Sequence, residues 1–183
     1  MNHDALNRFF AKEEQRAFVM ARIALNNPDE ALDVVQDSML KHFKHYASYP
    51  ETEWGPLFQR VLQNCINDRL RKRSLTSRFF ALFHNTKDQD DILDTEADSF
   101  ELMPPAIYDT DDFAERFENL LRKLPARQRQ VFLLRAWEGY SIQECADIMG
   151  CAPGSVKAHY YRAQKKLQEL LTDHTFELAG ETP

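Results

Sequence analysis

Ser141-Ile142-Gln143-Glu144-Cys145-Ala146-Asp147-Ile148-Met149-Gly150, continued by Cys151-Ala152-Pro153-Gly154-Ser155-Val156-Lys157-Ala158-His159-Tyr160-Tyr161-Arg162, reads as two short helices joined by a tight glycine turn. The first helix opens on Ser-x-x-Glu, a capping box in which Ser141 and Glu144 satisfy each other's exposed backbone donors. Ile142, Cys145, Ala146 and Met149 recur at i, i+3, i+4, i+7, so one face is buried. Gly150 can take the left-handed conformation that ends a helix. Pro153 supplies a preset dihedral for the first turn of the next one. That helix buries Val156, Tyr160, Ala163 and Leu167 and turns Ser155, Lys157, Ala158, His159 and Arg162 outward. A helix pair whose second member carries donors and positive charge has what a reader of the DNA major groove needs.

Working upstream, Phe113, Phe117, Leu120, Leu121 and Leu124 keep helical spacing. Pro125 opens a further helix carrying Val131, Leu134 and Trp137, which Gly139 closes. Residues 113–172 therefore form a four-helix unit. An earlier block, 1–73, holds three helical stretches. The first spans about 3–26 on Leu6, Phe9, Phe10, Ala17, Phe18, Ala21 and Leu25. Asn27-Pro28-Asp29-Glu30 stops it and starts the second, with Asn27 as N-cap and Glu30 closing a capping box. The second runs to about residue 45, and the spacing places Leu32, Val35, Met39 and Phe43 in the core. After a break over Ala47–Glu53, the third starts near Trp54–Pro56 and continues to about residue 73. It buries Phe58, Val61, Leu62 and Cys65, while Arg60, Asn64, Asn67 and Arg71 line the opposite face. The class is all-α: two small helical domains joined by a flexible acidic linker.

The net charge of −6 is unevenly spread. Residues 1–73 carry 11 basic and 10 acidic side chains, and residues 113–172 carry 10 and 6. The connector 74–112 carries 2 and 10, and the tail 173–183 carries 0 and 3. Net negative charge is thus concentrated in connector and tail, which leaves the helical blocks neutral to basic and open to nucleic acid. Pro104-Pro105 and the acidic run Asp88–Asp112 predict an extended connector. Within it, Phe79, Phe80, Leu82 and Phe83 either prolong the preceding helix or dock on a partner.

No apolar run approaches the roughly 20 residues of a membrane span, and the N-terminus has no signal-peptide pattern. A soluble, cytoplasmic protein is expected. Cys65, Cys145 and Cys151 form no CxxC pair, and Cys65 and Cys145 fall on apolar faces, so reduced buried thiols are expected. His42 and His45 share a helix face, where a solvated pair is expected rather than a metal site. With no nucleophile triad, metal set or glycine-rich phosphate loop, nothing points to catalysis, a cofactor or a small-molecule substrate.

The segments Leu124-Pro125-Ala126-Arg127-Gln128-Arg129-Gln130-Val131-Phe132, Glu138–Ala146 and Gly154-Ser155-Val156-Lys157 through Arg162-Ala163 to Lys166-Leu167 resemble region 4 of the extracytoplasmic-function sigma factors of bacterial RNA polymerase. Ala31-Leu32-Asp33-Val34-Val35-Gln36-Asp37 and Val61–Arg71 resemble the two functional helices of their region 2. The resemblance implies that 1–73 is region 2 and 113–172 is region 4. It implies that Asp33, Gln36 and Asp37 bind the coiled-coil of the largest polymerase subunit, and that Arg60, Asn64, Asn67 and Arg71 read the −10 element. Ser155, Lys157, His159 and Arg162 are then the readers of the −35 element, with Arg127 and Arg129 on phosphates. A protein antagonist, membrane-anchored in many relatives, is implied as a further partner. In the family a base is extruded into a pocket made by the loop that is here Ala47–Glu53, where Tyr46, Tyr49 and Trp54 offer aromatic surface. Two positions depart from the pattern: Leu57 stands where an aromatic is usual, and Ala152 where a capping Ser is usual. The rival readings are a helix-turn-helix regulator that binds an operator as a dimer, and an adaptor that has lost DNA reading.

Overall fold

The computed structural model describes residues 3–80 and 111–179, with side chains over 3–73 and 115–172. Two compact units, Met1–Leu93 and Asp94–Pro183, divide the chain. Every element among the described residues is helical, as the sequence predicts. The expected extended connector lies outside the described residues, as do Leu82 and Phe83. Phe79 and Phe80 continue the backbone of the preceding helix.

The first unit is built from α1 (His3–Leu25), α2 (Pro28–Tyr46) and α3 (Glu51–Phe80). α1 ends on Asn26, whose φ of 51° is left-handed, a conformation that asparagine adopts more readily than most residues. Asn27 caps α2 by accepting the Glu30 N–H on its Oδ1 at 3.0 Å. The Glu30 carboxylate, expected to return to the cap, turns instead to Arg73, 2.8 Å away on α3. Arg73 also donates to the Leu25 carbonyl at 2.6 Å. One guanidinium thus ties the end of α1 to the start of α2, and it supplies a carbonyl left without an intrahelical donor. Arg73→Ala should destabilise the first unit by about 1–2 kcal/mol, read as a lower urea midpoint of the full chain. An unchanged midpoint would show the clamp to be idle.

The core of this unit joins Met20, Ile23 and Leu25 of α1 to Val34 and Val35 of α2 and Phe58 and Leu62 of α3. α2 corrects the expectation. It buries Ala31, Val34, Val35, Ser38 and His42, while Leu32 is 44%, Leu40 52% and Phe43 37% exposed. Two apolar stripes coexist on this helix, and the one with the larger side chains faces out. His42 is a second correction: it is fully buried rather than solvated. The rings of Phe9, Phe10, Tyr46, Trp54 and Phe58 surround it, with centroids 5.6–6.4 Å away. Neither of its ring nitrogens has a hydrogen-bond partner. α3 starts three residues before Trp54 and carries Pro56 within its second turn. There the proline removes one backbone bond near an end, where the helix tolerates it best.

The second unit comprises α4 (Asp111–Arg122), α5 (Ala126–Phe132) running into a π-turn over Leu133–Trp137, α6 (Ile142–Met149) and α7 (Pro153–Ala179). Val131, Leu134, Cys145, Ala146, Ile148, Met149 and Val156 form one buried cluster, with Tyr140, Ile142, Cys151 and Tyr160 packed at its edge. The capping box is present in both halves: Ser141 N–H donates to Glu144 at 2.7 Å, and Glu144 N–H to Ser141 Oγ at 3.2 Å. This bonding holds the Glu144 carboxyl below the usual carboxylate range. Gly150 ends α6 in the left-handed region (φ 64°, ψ 42°), and Pro153 begins α7.

The wide turn before Gly139 places Arg135 between two elements. Its guanidinium donates to the Tyr140 carbonyl and lies 5.6 Å over the Tyr160 ring. Tyr160 in turn stacks on Phe132 at 6.2 Å. The approach to α6 and the rotation of α7 are therefore fixed from the same point. No described helix is long and apolar enough to cross a membrane.

Candidate nucleic-acid interface

In the first unit, Asp33, Gln36 and Asp37 are all exposed on α2. Asp33 faces Arg69 of α3 at 3.7 Å. Asp37 lines a groove of about 240 Å³ between α2 and α3, together with Lys41, Cys65, Asp68, Arg69, Arg71 and Lys72. Beside the three polar residues runs the outward stripe of Leu32, Leu40 and Phe43. Isolated exposed leucines need no explanation, but a row of large apolar side chains flanked by carboxylates suits a protein partner. Sequence reasoning assigned Leu32 and Phe43 to the core and so missed this face. The available signal was that α2 is apolar over more than half its circumference, more than one buried side can use.

On α3, Arg60, Asn64 and Arg71 are exposed and Asn67 half-buried. Their spacing of i, i+4, i+7, i+11 keeps all four on one side of the helix. Arg71 also meets Asp68 at 3.6 Å, an exposed pair that water screens. Amides and guanidinium groups in a row can hydrogen-bond both base edges and phosphates. Of the three aromatics near the α2–α3 loop, Trp54 is 4% exposed and belongs to the core. Tyr49 is 45% exposed, held edge-on against the Tyr46 ring at 5.5 Å. It is the most exposed of the three.

In the second unit, α7 presents Ser155 and Lys157 fully and His159 and Arg162 partly to the surface. At about 100° per residue, Ser155, His159 and Arg162 share one edge of the exposed arc and Lys157 takes the other. Ala158 and Tyr161 lie between them, and Tyr161, 38% exposed, was not singled out from the sequence. The two upstream arginines are both engaged. Arg127 lies 3.4 Å from the Met149 carbonyl, at the end of α6 beside the turn. Arg129 donates to the Arg122 carbonyl at 3.4 Å, and burial pulls its pKa down, helped by the Arg122 charge. Arg127 stays exposed and Arg129 is half-buried, so Arg127 is the better placed of the two for a phosphate.

Among the described residues no group of His, Cys, Asp and Glu is arranged to hold a metal ion. Cys65 and Cys145 are buried free thiols and Cys151 is partly exposed.

The family model for sigma-70 region 4 matches residues 114–167, the span that holds α4 to α7 through Leu167. Over 168 residues the chain is 27% identical to an extracytoplasmic-function RNA polymerase sigma factor of Mycobacterium tuberculosis, SigM, across 91% of this chain and 77% of the relative. It is 28% identical over 165 residues to the sigma factor SigV of Bacillus subtilis, covering 87% and 86%. The structure of the sigma factor RpoE of Bartonella quintana, in complex with the anti-sigma factor NepR, superposes with a TM-score of 0.59 at 25% identity. It covers 90% of this chain and 97% of that one. The likeness is to the extracytoplasmic-function sigma factors. The fold is also that of CnrH in its complex with the cytosolic domain of CnrY, at a TM-score of 0.63 and 21% identity over 94% and 90% of the two chains. These likenesses run through both units of the chain. A helix-turn-helix regulator related only through its DNA-reading unit would match over α4–α7 alone.

Proposed function

We infer that this chain is a detachable specificity subunit that directs core RNA polymerase to promoters, with its work divided between its two units. The outward face of α2, made of Asp33, Gln36, Asp37, Leu32, Leu40 and Phe43, docks on the coiled-coil of the largest polymerase subunit. Arg60, Asn64, Asn67 and Arg71 of α3 read the −10 element, with Tyr49 offered to an unstacked base. Ser155, Lys157, His159 and Arg162 of α7 read the −35 element, with Arg127 on a phosphate. Within this division residues 1–73 act as region 2, 74–112 as an acidic linker, 113–172 as region 4 and 173–183 as a tail.

The observation that carries the reading is the exposed apolar and acidic face of α2 in the same chain as the helix-turn-helix. An operator-binding dimer has no use for that face on a separate unit. Each unit alone offers few phosphate contacts, and the chain is acidic overall. Free protein should therefore bind DNA weakly, and both reads should count together once polymerase holds the units at the promoter. RpoE was solved with an anti-sigma factor, which supports a protein antagonist among the partners of this chain too. The chemistry of initiation belongs to the polymerase, and this subunit supplies recognition.

The test is run-off transcription with purified core polymerase. Core plus this chain should initiate on promoters that core alone ignores, and scrambling either element should abolish it. A footprint of the free chain on a palindrome, with no effect on core polymerase, would favour the operator reading. Arg162→Ala should lower initiation about tenfold on a promoter with an intact −35 element, the size of one lost base or phosphate contact. It should change little where that element is scrambled. Equal loss on both templates would remove Arg162 from the reading helix.

A further inference from the structure

The groove between α2 and α3 holds a contact that promoter reading does not use. Lys41 Nζ lies 3.3 Å from Cys65 Sγ. Cys65 is 7% exposed and borders the groove, whose other walls include Asp37, Asp68, Arg69 and Arg71. Thiolates are the reactive form of cysteine, and a nearby cation favours them. Cys65 has Lys41 at hydrogen-bond distance and Arg69 and Arg71 in the same groove; Cys145 and Cys151 feel the charges of Arg135 and Arg127, but burial outweighs them. The Cys145 thiol lies 3.8 Å from the Tyr140 carbonyl, and burial pushes it up to about 11, which keeps it protonated. Burial raises Cys151 as well. Lys41, for its part, is raised above its usual value, chiefly by the hydrogen bond and charge of Cys65.

We propose that Lys41 and Cys65 are a redox-switchable covalent pair, in which a hydroperoxide oxidises the sulfur and the lysine amine then closes on it as an N–S link between α2 and α3. In the first step the Cys65 thiolate attacks one oxygen of hydrogen peroxide and the O–O bond breaks. The departing hydroxide takes a proton and leaves as water. Sulfur, oxidised by two electrons, becomes a sulfenic acid. The Lys41 ammonium then gives up one proton to solvent. In the second step the neutral Nζ attacks sulfur, the S–O bond breaks, and the hydroxyl leaves as a second water. The net change in the protein is the loss of two hydrogens. A thiol reductant reverses it by attacking sulfur and expelling the amine, and a second thiol then frees Cys65. The cysteine alone would stop at the sulfenic acid or go on to sulfinic acid. The amine at hydrogen-bond distance is what diverts it.

The link would fasten the helix bearing Asp33, Gln36 and Asp37 to the helix bearing Arg60, Asn64, Asn67 and Arg71, so an oxidant would act on the unit at its middle.

The test treats the full-length chain with limiting hydrogen peroxide and follows it by intact mass and peptide mapping. Wild type should lose the mass of two hydrogens, with the Lys41 and Cys65 peptides joined, and dithiothreitol should restore both. Lys41→Arg keeps the positive charge and the fold, which circular dichroism checks. It should oxidise at Cys65 as readily but stop at a sulfenic acid that dimedone traps. Cys65→Ser should give neither product. Three outcomes would overturn the proposal: unlinked sulfinic acid in wild type, the same link in Lys41→Arg, or a link that retains one oxygen, which contradicts the N–S bond.

Discussion

Between pH 6.5 and pH 4 the first unit is expected to lose about 3 kcal/mol of stability through His42 alone. Burial lowers this imidazole from its ordinary 6.5 to about 4, because its aromatic surroundings cannot solvate the charged form. Above pH 6.5 the ring is neutral in folded and unfolded chains, and it contributes nothing to the pH dependence. As pH falls below that value the unfolded chain takes up a proton that the folded chain refuses, so unfolding gains about 1.4 kcal/mol per pH unit. The effect levels off near pH 4, where the folded form is protonated too. His42→Leu should remove this part of the slope. Above pH 6.5 it should be close to neutral, since both ring nitrogens already lack partners. Trp54, whose ring lies 6.4 Å from that of His42, reports on the unit once Trp137, the other tryptophan, is replaced by Phe. Urea midpoints of the full chain at pH 7 and pH 4.5 settle it. If His42→Leu loses as much stability on acidification as the parent, other groups carry the acid sensitivity.

His42 also shows what a sequence can and cannot disclose. Helix ends were legible because capping is local chemistry. Asn27-Pro28 starts α2, Ser141 with Glu144 starts α6, and Gly150 stops it, each within four residues of the groups satisfied. The buried faces of α3, α6 and α7 were legible too, since each has one apolar stripe. α2 has two, and periodicity cannot rank them. The core took the smaller set, Ala31, Val34, Val35 and Ser38, because three helices pack closely there. Leu32, Leu40 and Phe43 were left exposed. Glu30 left its expected cap for Arg73, 43 residues away, a choice no local rule contains. The π-turn at Leu133–Trp137 is equally invisible to a 3.6-residue period. The positions proposed to face DNA were chosen by residue type and spacing alone. Their partners were not legible, and so Arg129 was grouped with Arg127 although its guanidinium is turned to the Arg122 carbonyl.

The second large effect concerns that leftover stripe. Gln36→Ala with Asp37→Ala should abolish co-elution with core polymerase, and Leu40→Asp alone should weaken binding at least about 100-fold. Leu40 is the most exposed of the large apolar residues on α2. A charge there must be desolvated when the face is covered, whereas the wild-type side chain gains from the same burial. Central apolar anchors of an interface commonly account for 2 kcal/mol or more, and about 2.7 kcal/mol corresponds to a hundredfold. None of the three residues is buried in the free chain, so thermal unfolding should barely move. This separates a docking defect from a folding defect. Lys44→Ala, exposed near the end of the same helix, serves as the control and should bind as the parent does. Competition between labelled parent and unlabelled variants for core polymerase gives the ratio directly. If Leu40→Asp competes as well as the parent, the outward stripe is not where polymerase sits. The exposed leucines of α2 would then belong to another partner, and the −10 and −35 faces would need a different anchor to hold them on DNA.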